Sequence, residues 1–216
     1  QLEGALDYSF SNYRIAPAIP PTFVSANPRE DVPTITRGNV TVAALNVLNL
    51  FNGDGQGGGF PTPRGADNIA EYDRQLVKTV NALNTMDADI VGLMEIENDG
   101  FGPLSTIAQL VDELNAVAGE GVYDFVDAGG QIGTDAIAVG FIYKPSSVSL
   151  VGDVQLNAAS IFNRPPVAQI FALENGEQLT VVVNHFKSKG CGGSSGLNAD
   201  QGDGQGCFNA RRTEQS

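Results

Sequence analysis

Three apolar runs along this chain end in polar side chains where a turn would be expected. Ile90-Val91-Gly92-Leu93-Met94 reads as a strand buried on both faces, and it runs straight into Glu95-Ile96-Glu97-Asn98. Val42-Ala43-Ala44-Leu45-Asn46-Val47-Leu48-Asn49-Leu50-Phe51 is a second strand of this build and carries amides. Leu179-Thr180-Val181-Val182-Val183 is a third, leaving through Asn184-His185-Phe186-Lys187-Ser188-Lys189 with the chain's single histidine. A carboxylate at the exit of a buried strand has lost part of its water and needs a cation, a donor or a proton. Open α/β sheets place their ligands at the carboxyl ends of strands, so the three runs together outline an active site.

Helical spacing separates the first two runs. Tyr72, Leu76, Val80 and Leu83 share a face while Arg74 and Lys78 lie on others, which predicts an amphipathic helix over residues 69–84. Leu104, Ile107, Leu110, Val111 and Leu114 predict a second helix, with Pro103 near its start and its end towards Gly119. Further strands are predicted at 123–126, 136–143, 147–156 and 167–173. This order indicates a mixed sheet with helices on one face.

Residues 1–38 differ from the rest. Tyr8-Ser9-Phe10-Ser11-Asn12-Tyr13-Arg14-Ile15 alternates like an edge strand, and Pro17, Pro20, Pro21, Pro28 and Pro33 forbid helix. This predicts an extended arm laid over a domain that fills 39–216. Asn52-Gly53-Asp54-Gly55-Gln56-Gly57-Gly58-Gly59 reads as a flexible loop. Its pentapeptide 53–57 recurs at 202–206, and the identity goes no further, as chance or parallel loop chemistry would leave it.

The 216 residues suffice for one sizeable core or two small ones, and the longest apolar runs are far too short to cross a bilayer. The chain opens at Gln1 without a cationic segment followed by an apolar one, so it is expected to begin after a processing site or at an engineered boundary. A formal net charge of −13 counts against diffuse electrostatic binding of nucleic acid. It leaves room for an enzyme that neutralises phosphate with a divalent metal; its plainest reading is the solubility of a secreted protein. Cys191 and Cys207 lie in one Gly/Ser/Asp-rich loop without a zinc set around them. A local disulfide in an oxidising compartment is expected, against two unpaired thiols.

Glu95 is the foremost candidate, since Mg²⁺ takes one or two carboxylates and completes its shell with water and substrate phosphate. The plain alternative is a strand-end carboxylate paired with Lys or Arg. Asn46 sits mid-strand in an apolar setting, where an amide is costly unless both ends are bonded; Asn49, nearer the strand end, is its rival. His185 precedes Lys187 and Lys189, a positive cluster in an acidic chain that suits an anionic ligand. Arg164, ahead of Pro165-Pro166, is presented rigidly and suits a phosphate oxygen, or is simply a surface arginine at a strand entry.

The set Leu45-Asn46-Val47, Gly92-Leu93-Met94-Glu95, Arg164-Pro165-Pro166 and Val183-Asn184-His185-Phe186 resembles, in order and spacing, the endonuclease/exonuclease/phosphatase superfamily. Asn27-Pro28-Arg29, Glu95-Ile96-Glu97-Asn98, Asn184 to Lys189 and the Gly-rich cysteine loop are similar to its bacterial extracellular nuclease branch, over nearly the whole chain. The resemblance implies that Asn46 and Glu95 hold the catalytic metal, Mg²⁺ or Mn²⁺ with Ca²⁺ as an alternative. It implies that His185 meets the scissile phosphate or donates a proton, and that Arg164, with Asn184 and Lys187, grips phosphate. DNA is the substrate it implies.

One departure is serious. The superfamily's later Gly-Asp-Phe-Asn-type strand, which orients the attacking water, and its terminal Ser-Asp-His have no counterpart here. Gly206-Cys207-Phe208-Asn209 has Cys at the Asp position and lies in the cysteine loop. The expected fold is therefore α+β, a four-layer α/β sandwich of the deoxyribonuclease-I-like type, of which this chain is the first half to two-thirds. A missing C-terminal segment, bound as a second polypeptide, or self-association is expected to cover the open sheet, and the chain in isolation is expected to show negligible nuclease activity. A secreted or periplasmic location follows. The rivals are a phospholipase, sphingomyelinase-type or phosphomonoesterase relative, and a non-catalytic secreted Ca²⁺-binding module.

Overall fold

A computed structural model describes residues 2–27 and 38–216. Pro28, Arg29 and Pro33 lie outside the described residues, and with them the Asn-Pro-Arg motif. Two compact units make up the chain, Gln1–Ile35 and Thr36–Ser216.

In the first unit, β1 (Gly4–Ser9) and β2 (Asn12–Pro17) pair antiparallel, with Leu6 opposite Ile15 and Tyr8 opposite Tyr13. The single edge strand expected across Tyr8 to Ile15 is thus two strands. They reverse at Phe10 and Ser11, whose φ of 50° and 63° close a two-residue turn, and Asn12 Nδ2 donates to Phe10 O at 2.9 Å. Alternation reads the same along one strand as across such a tip, which is why the pattern did not reveal the reversal.

The second unit holds β3 (Val42–Leu50), α1 (Ile69–Met86), β4 (Ile90–Glu97), α2 (Thr106–Ala118), β5 (Asp124–Phe125), β6 (Ile137–Tyr143), β7 (Val148–Leu156), β8 (Val167–Leu173), β9 (Gln178–Val183) and α3 (Asn209–Gln215). Both long helices start on side-chain caps, Asn68 accepting from Glu71 N and Ser105 from Ala108 N. Element order alone indicated one mixed sheet; there are two. The first, β3-β4-β6-β5, pairs β3 and β4 in parallel, and the second, β7-β8-β9, is antiparallel.

Residue size sets how these layers stack. Leu93 opposes Gly140, and a Cβ on Gly140 would come 3.2 Å from Ile107 of α2, so this face of the mixed sheet meets the helices. Gly92 opposes Phe141 on the other face, where Phe141 meets Phe171 of β8 edge-on at 5.7 Å. A Cβ on Gly92 would fall 2.7 Å from Val183 Cγ2, a clash that only glycine avoids. Glycine there lets β9 close on β4, bringing the exit of β9 over the acidic end of β4. Of the four layers expected, the described residues form three: helices, mixed sheet and antiparallel sheet.

The three runs are not equally buried. β4 is enclosed along most of its length, whereas β3 and β9 alternate between exposed and covered positions. Each is the edge strand of its sheet, so one flank lacks a neighbour. The repeated pentapeptide adopts the same local form twice: Gln56 N donates to Asp54 Oδ1 and Gln205 N to Asp203 Oδ1, between glycines of positive φ. Parallel loop chemistry accounts for the repeat. Cys191 and Cys207 form a disulfide. Among the described residues no helix is long and apolar enough to cross a membrane.

Candidate active site

β3 and β4 each break their ladder at the same level. The register shifts between Asn46 and Leu50 on one strand and between Met94 and Ile96 on the other. Leu48, Asn49 and Glu95 stand in the left-handed region, with φ of 59°, 50° and 65°. Such a conformation costs a non-glycine residue about 1–2 kcal/mol and persists only where its surroundings hold it. Gln75 of α1 supplies part of that hold, donating to Val47 O at 2.9 Å and Leu48 O at 2.7 Å. A bulge re-aims a side chain. β4 accordingly does not end at Met94: it continues to Glu97, and Glu95 is turned into the cleft from within the strand.

Asn46 Nδ2 donates to Glu95 Oε1 at 2.8 Å, and Asn46 Oδ1 accepts from Leu48 N at 2.8 Å. Both ends of the amide are therefore bonded, although its setting is the exposed flank of an edge strand and not the apolar interior expected. Asn49, the rival, makes no side-chain bond among those described. His185, two residues past β9, places Nε2 3.6 Å from the same Oε1, with both side chains more than four-fifths covered. That separation lies beyond hydrogen-bond range. Burial pushes the His185 pKa down, and the nearby Arg164 guanidinium pushes the same way; Glu95 and Asp135 oppose without cancelling them. His185 is thus a neutral imidazole at neutral pH, and its Nδ1 is buried without a partner.

Arg164 lies elsewhere than expected. Its Nε and Nη2 donate to His185 O at 3.3 and 3.1 Å, Nη2 also to Phe186 O at 2.9 Å, and Nη1 to Asp135 Oδ2 at 3.3 Å. A guanidinium this committed, 9% exposed, braces the segment that carries His185 and is not offered to a ligand. The reason is local: Pro165-Pro166 fix the chain so that the side chain turns inward, under the β9 exit. Asn184 is exposed beside His185. Lys187 turns away, its ammonium 4.6 Å from the Phe208 ring centre and its N–H on Gln215 Oε1 at 2.9 Å.

Asp135 and Gln215 build the site without having stood out in the sequence, and Asn98 joins them from the end of the Glu95 motif. Asp135 takes Arg64 Nη1 on Oδ1 at 2.8 Å and Arg164 on Oδ2. Asn98 locks the loop that delivers Asp135, donating to Ile132 O and Asp135 O and accepting from Ile132 N. Gln215 of α3 ties Lys187 N to Ile161 O. Asp135 carried a usable signal, since it sits at the entry of the apolar strand β6 just as Glu95 sits near an exit.

Solved structures similar to this chain include a humanized D. rerio TDP2, at 12% identity over 69% of this chain and 48% of that one, with a TM-score of 0.42. Another is ANGEL2, a 2′,3′-cyclic phosphatase, at 14% identity, 66% and 39% coverage and a TM-score of 0.43. A third is an endonuclease/exonuclease/phosphatase from Beutenbergia cavernae, at 16% identity, 68% and 38% coverage and a TM-score of 0.40. The chain spans less than half the length of each. No protein-family model and no curated protein matches it.

Among the described residues no three His, Cys, Asp or Glu side chains converge as a metal set. The donors at the cleft suit a cation that keeps most of its water. Glu95 Oε1 accepts from Asn46 and faces His185, and among the described residues no group donates to Oε2 and no Lys or Arg pairs with the carboxylate. One carboxylate with an amide beside it is the minimal protein contribution to a Mg²⁺ or Mn²⁺ site.

Proposed function

We propose that this chain carries the metal-binding half of a phosphodiesterase site, acting on DNA as an extracellular or periplasmic nuclease. The observation that carries the reading is the convergence of Asn46, Glu95 and His185 through two matched bulges that cost backbone energy. A bound Mg²⁺ or Mn²⁺ would supply charge stabilisation at the phosphate as the leaving oxygen departs. Glu95, steadied by Asn46, would hold that ion. His185, kept neutral, presents one N–H and one lone pair, and so can hold a phosphate oxygen and pass a proton to the leaving group. Arg164 keeps the His185 backbone in place and adds positive potential without touching substrate. Asn184 is the exposed group beside His185 for a flanking phosphate, and Lys187 could join it by leaving the Phe208 ring.

The disulfide and the acidic surface support an oxidising, extracytoplasmic location. The open edges of β3 and β9 support a partner as well: a polypeptide supplying the water-orienting strands, or a second copy of this chain. Nicking of supercoiled plasmid in Mg²⁺ tests the reading, because one cut per molecule is detected. Only trace cleavage is expected from the chain by itself, since groups acting as a unit are strongly non-additive, and Glu95→Gln should abolish it. Hydrolysis of sphingomyelin or phosphomonoesters in preference to DNA, or nicking indifferent to Glu95→Gln, would contradict it.

A further inference from the structure

Beyond Glu95 a second acidic group gathers at the end of β3 and the start of α2, and the site described above does not use it. Glu97 Oε2 accepts from Asn52 N at 3.0 Å and lies 2.9 Å from Thr106 Oγ1; Asp99 Oδ2 accepts from Thr106 N at 2.8 Å and lies 3.1 Å from the same hydroxyl. Capping of α2 explains Asp99. It does not explain two carboxylates on one fully buried hydroxyl, which has a single hydrogen to give. Among the described ion pairs, neither carboxylate has a cationic partner.

An independent observation concerns Asn52, whose backbone N–H is on Glu97. Asn52 is 2% exposed and its Nδ2 is on Leu104 O at 2.9 Å, yet its Oδ1 has no partner. A buried amide oxygen in that state calls for a donor or a cation. The surrounding field favours the cation. Burial raises the Tyr72 hydroxyl pKa far above its ordinary value, and Glu113, Asp73, Asp99 and Glu97 raise it further.

We propose that Glu97, Asp99 and the side-chain oxygen of Asn52 hold a hard divalent cation of the Ca²⁺ class, separate from the Glu95 site. All three donors are oxygens, Glu97 at the end of β4, Asp99 in the loop before α2 and Asn52 in the loop after β3, and Asp99 is open to solvent, so water can complete an irregular shell of the kind that Ca²⁺ accepts and Mg²⁺ does not. The ion would tie the end of β3, the exit of β4 and the first turn of α2 together, a structural role that is independent of the phosphodiesterase reading.

The test is calorimetric titration of CaCl₂ into the whole chain after EDTA treatment, paired with thermal melts. One equivalent should bind with a Kd of roughly 10⁻⁴–10⁻³ M, the range of extracellular modules, and raise the melting temperature. Asp99→Asn, which keeps the cap on Thr106 N, should weaken binding at least tenfold, as should Glu97→Gln; if Glu97→Gln does not fold, Asp99→Asn decides alone. Glu95→Gln should leave the Ca²⁺ affinity unchanged. Absence of saturable binding, binding indifferent to Asp99→Asn, or binding lost in Glu95→Gln would overturn the assignment.

Discussion

His185 is the residue whose surroundings most shape the chemistry open to this site. Burial and Arg164 hold its pKa below the ordinary 6.5. As pH falls through 6.5 the unfolded chain takes up this proton first, while the folded chain resists it. Folding stability from this group is therefore complete above pH 6.5 and drains away as pH drops towards the lowered value. With EDTA present, the urea midpoint of the wild type should fall between pH 7.5 and pH 5.5 by more than that of His185→Gln. Equal losses would mean that the imidazole is not held neutral. Its place in the cleft was legible in the sequence, as a lone histidine at a polar-tipped strand in an acidic chain. Its lowered pKa was not, because that depends first on burial and then on a guanidinium arriving from 21 residues away.

At the scale of elements, the exit of β9 is the part most dependent on distant support. Arg164 bonds the carbonyls of residues 185 and 186, Asp135 orients Arg164, and Gln215 of α3 bonds Lys187 N. Arg164→Lys keeps the charge but cannot reach three acceptors in one plane. It should cost about 2 kcal/mol in urea unfolding, as buried carbonyls lose charge-assisted partners. A loss within a few tenths of a kcal/mol would show that the brace is incidental. Most strands of the second unit, both long helices and the cysteine pair were readable from periodicity and spacing. The hairpin at Phe10 and Ser11 was hidden by alternation, and the bulges at Leu48 and Glu95 by apolar runs that look continuous. The inward turn of Arg164 was hidden because a proline-held arginine reads alike whether it faces solvent or the interior. Local sequence records the period of a strand and not the point where two neighbouring strands jointly break register.

For the molecule as a whole, the arrangement amounts to one sheet delivering a carboxylate and an amide, and a second sheet delivering an imidazole onto them. Gly92 under Val183 sets how closely the two approach. Binding of a divalent ion at that meeting point is what the proposed function requires. Because His185 is the only histidine, its ring protons give an unambiguous NMR signal. The measurement is the linewidth of those resonances in the intact chain during a substoichiometric Mn²⁺ titration, repeated on Glu95→Gln. With Nε2 3.6 Å from Glu95 Oε1, an ion held by Glu95 should broaden the imidazole signals beyond detection in the wild type and leave them sharp in the variant. Sharp signals at saturating Mn²⁺, or equal broadening in both proteins, would contradict the account.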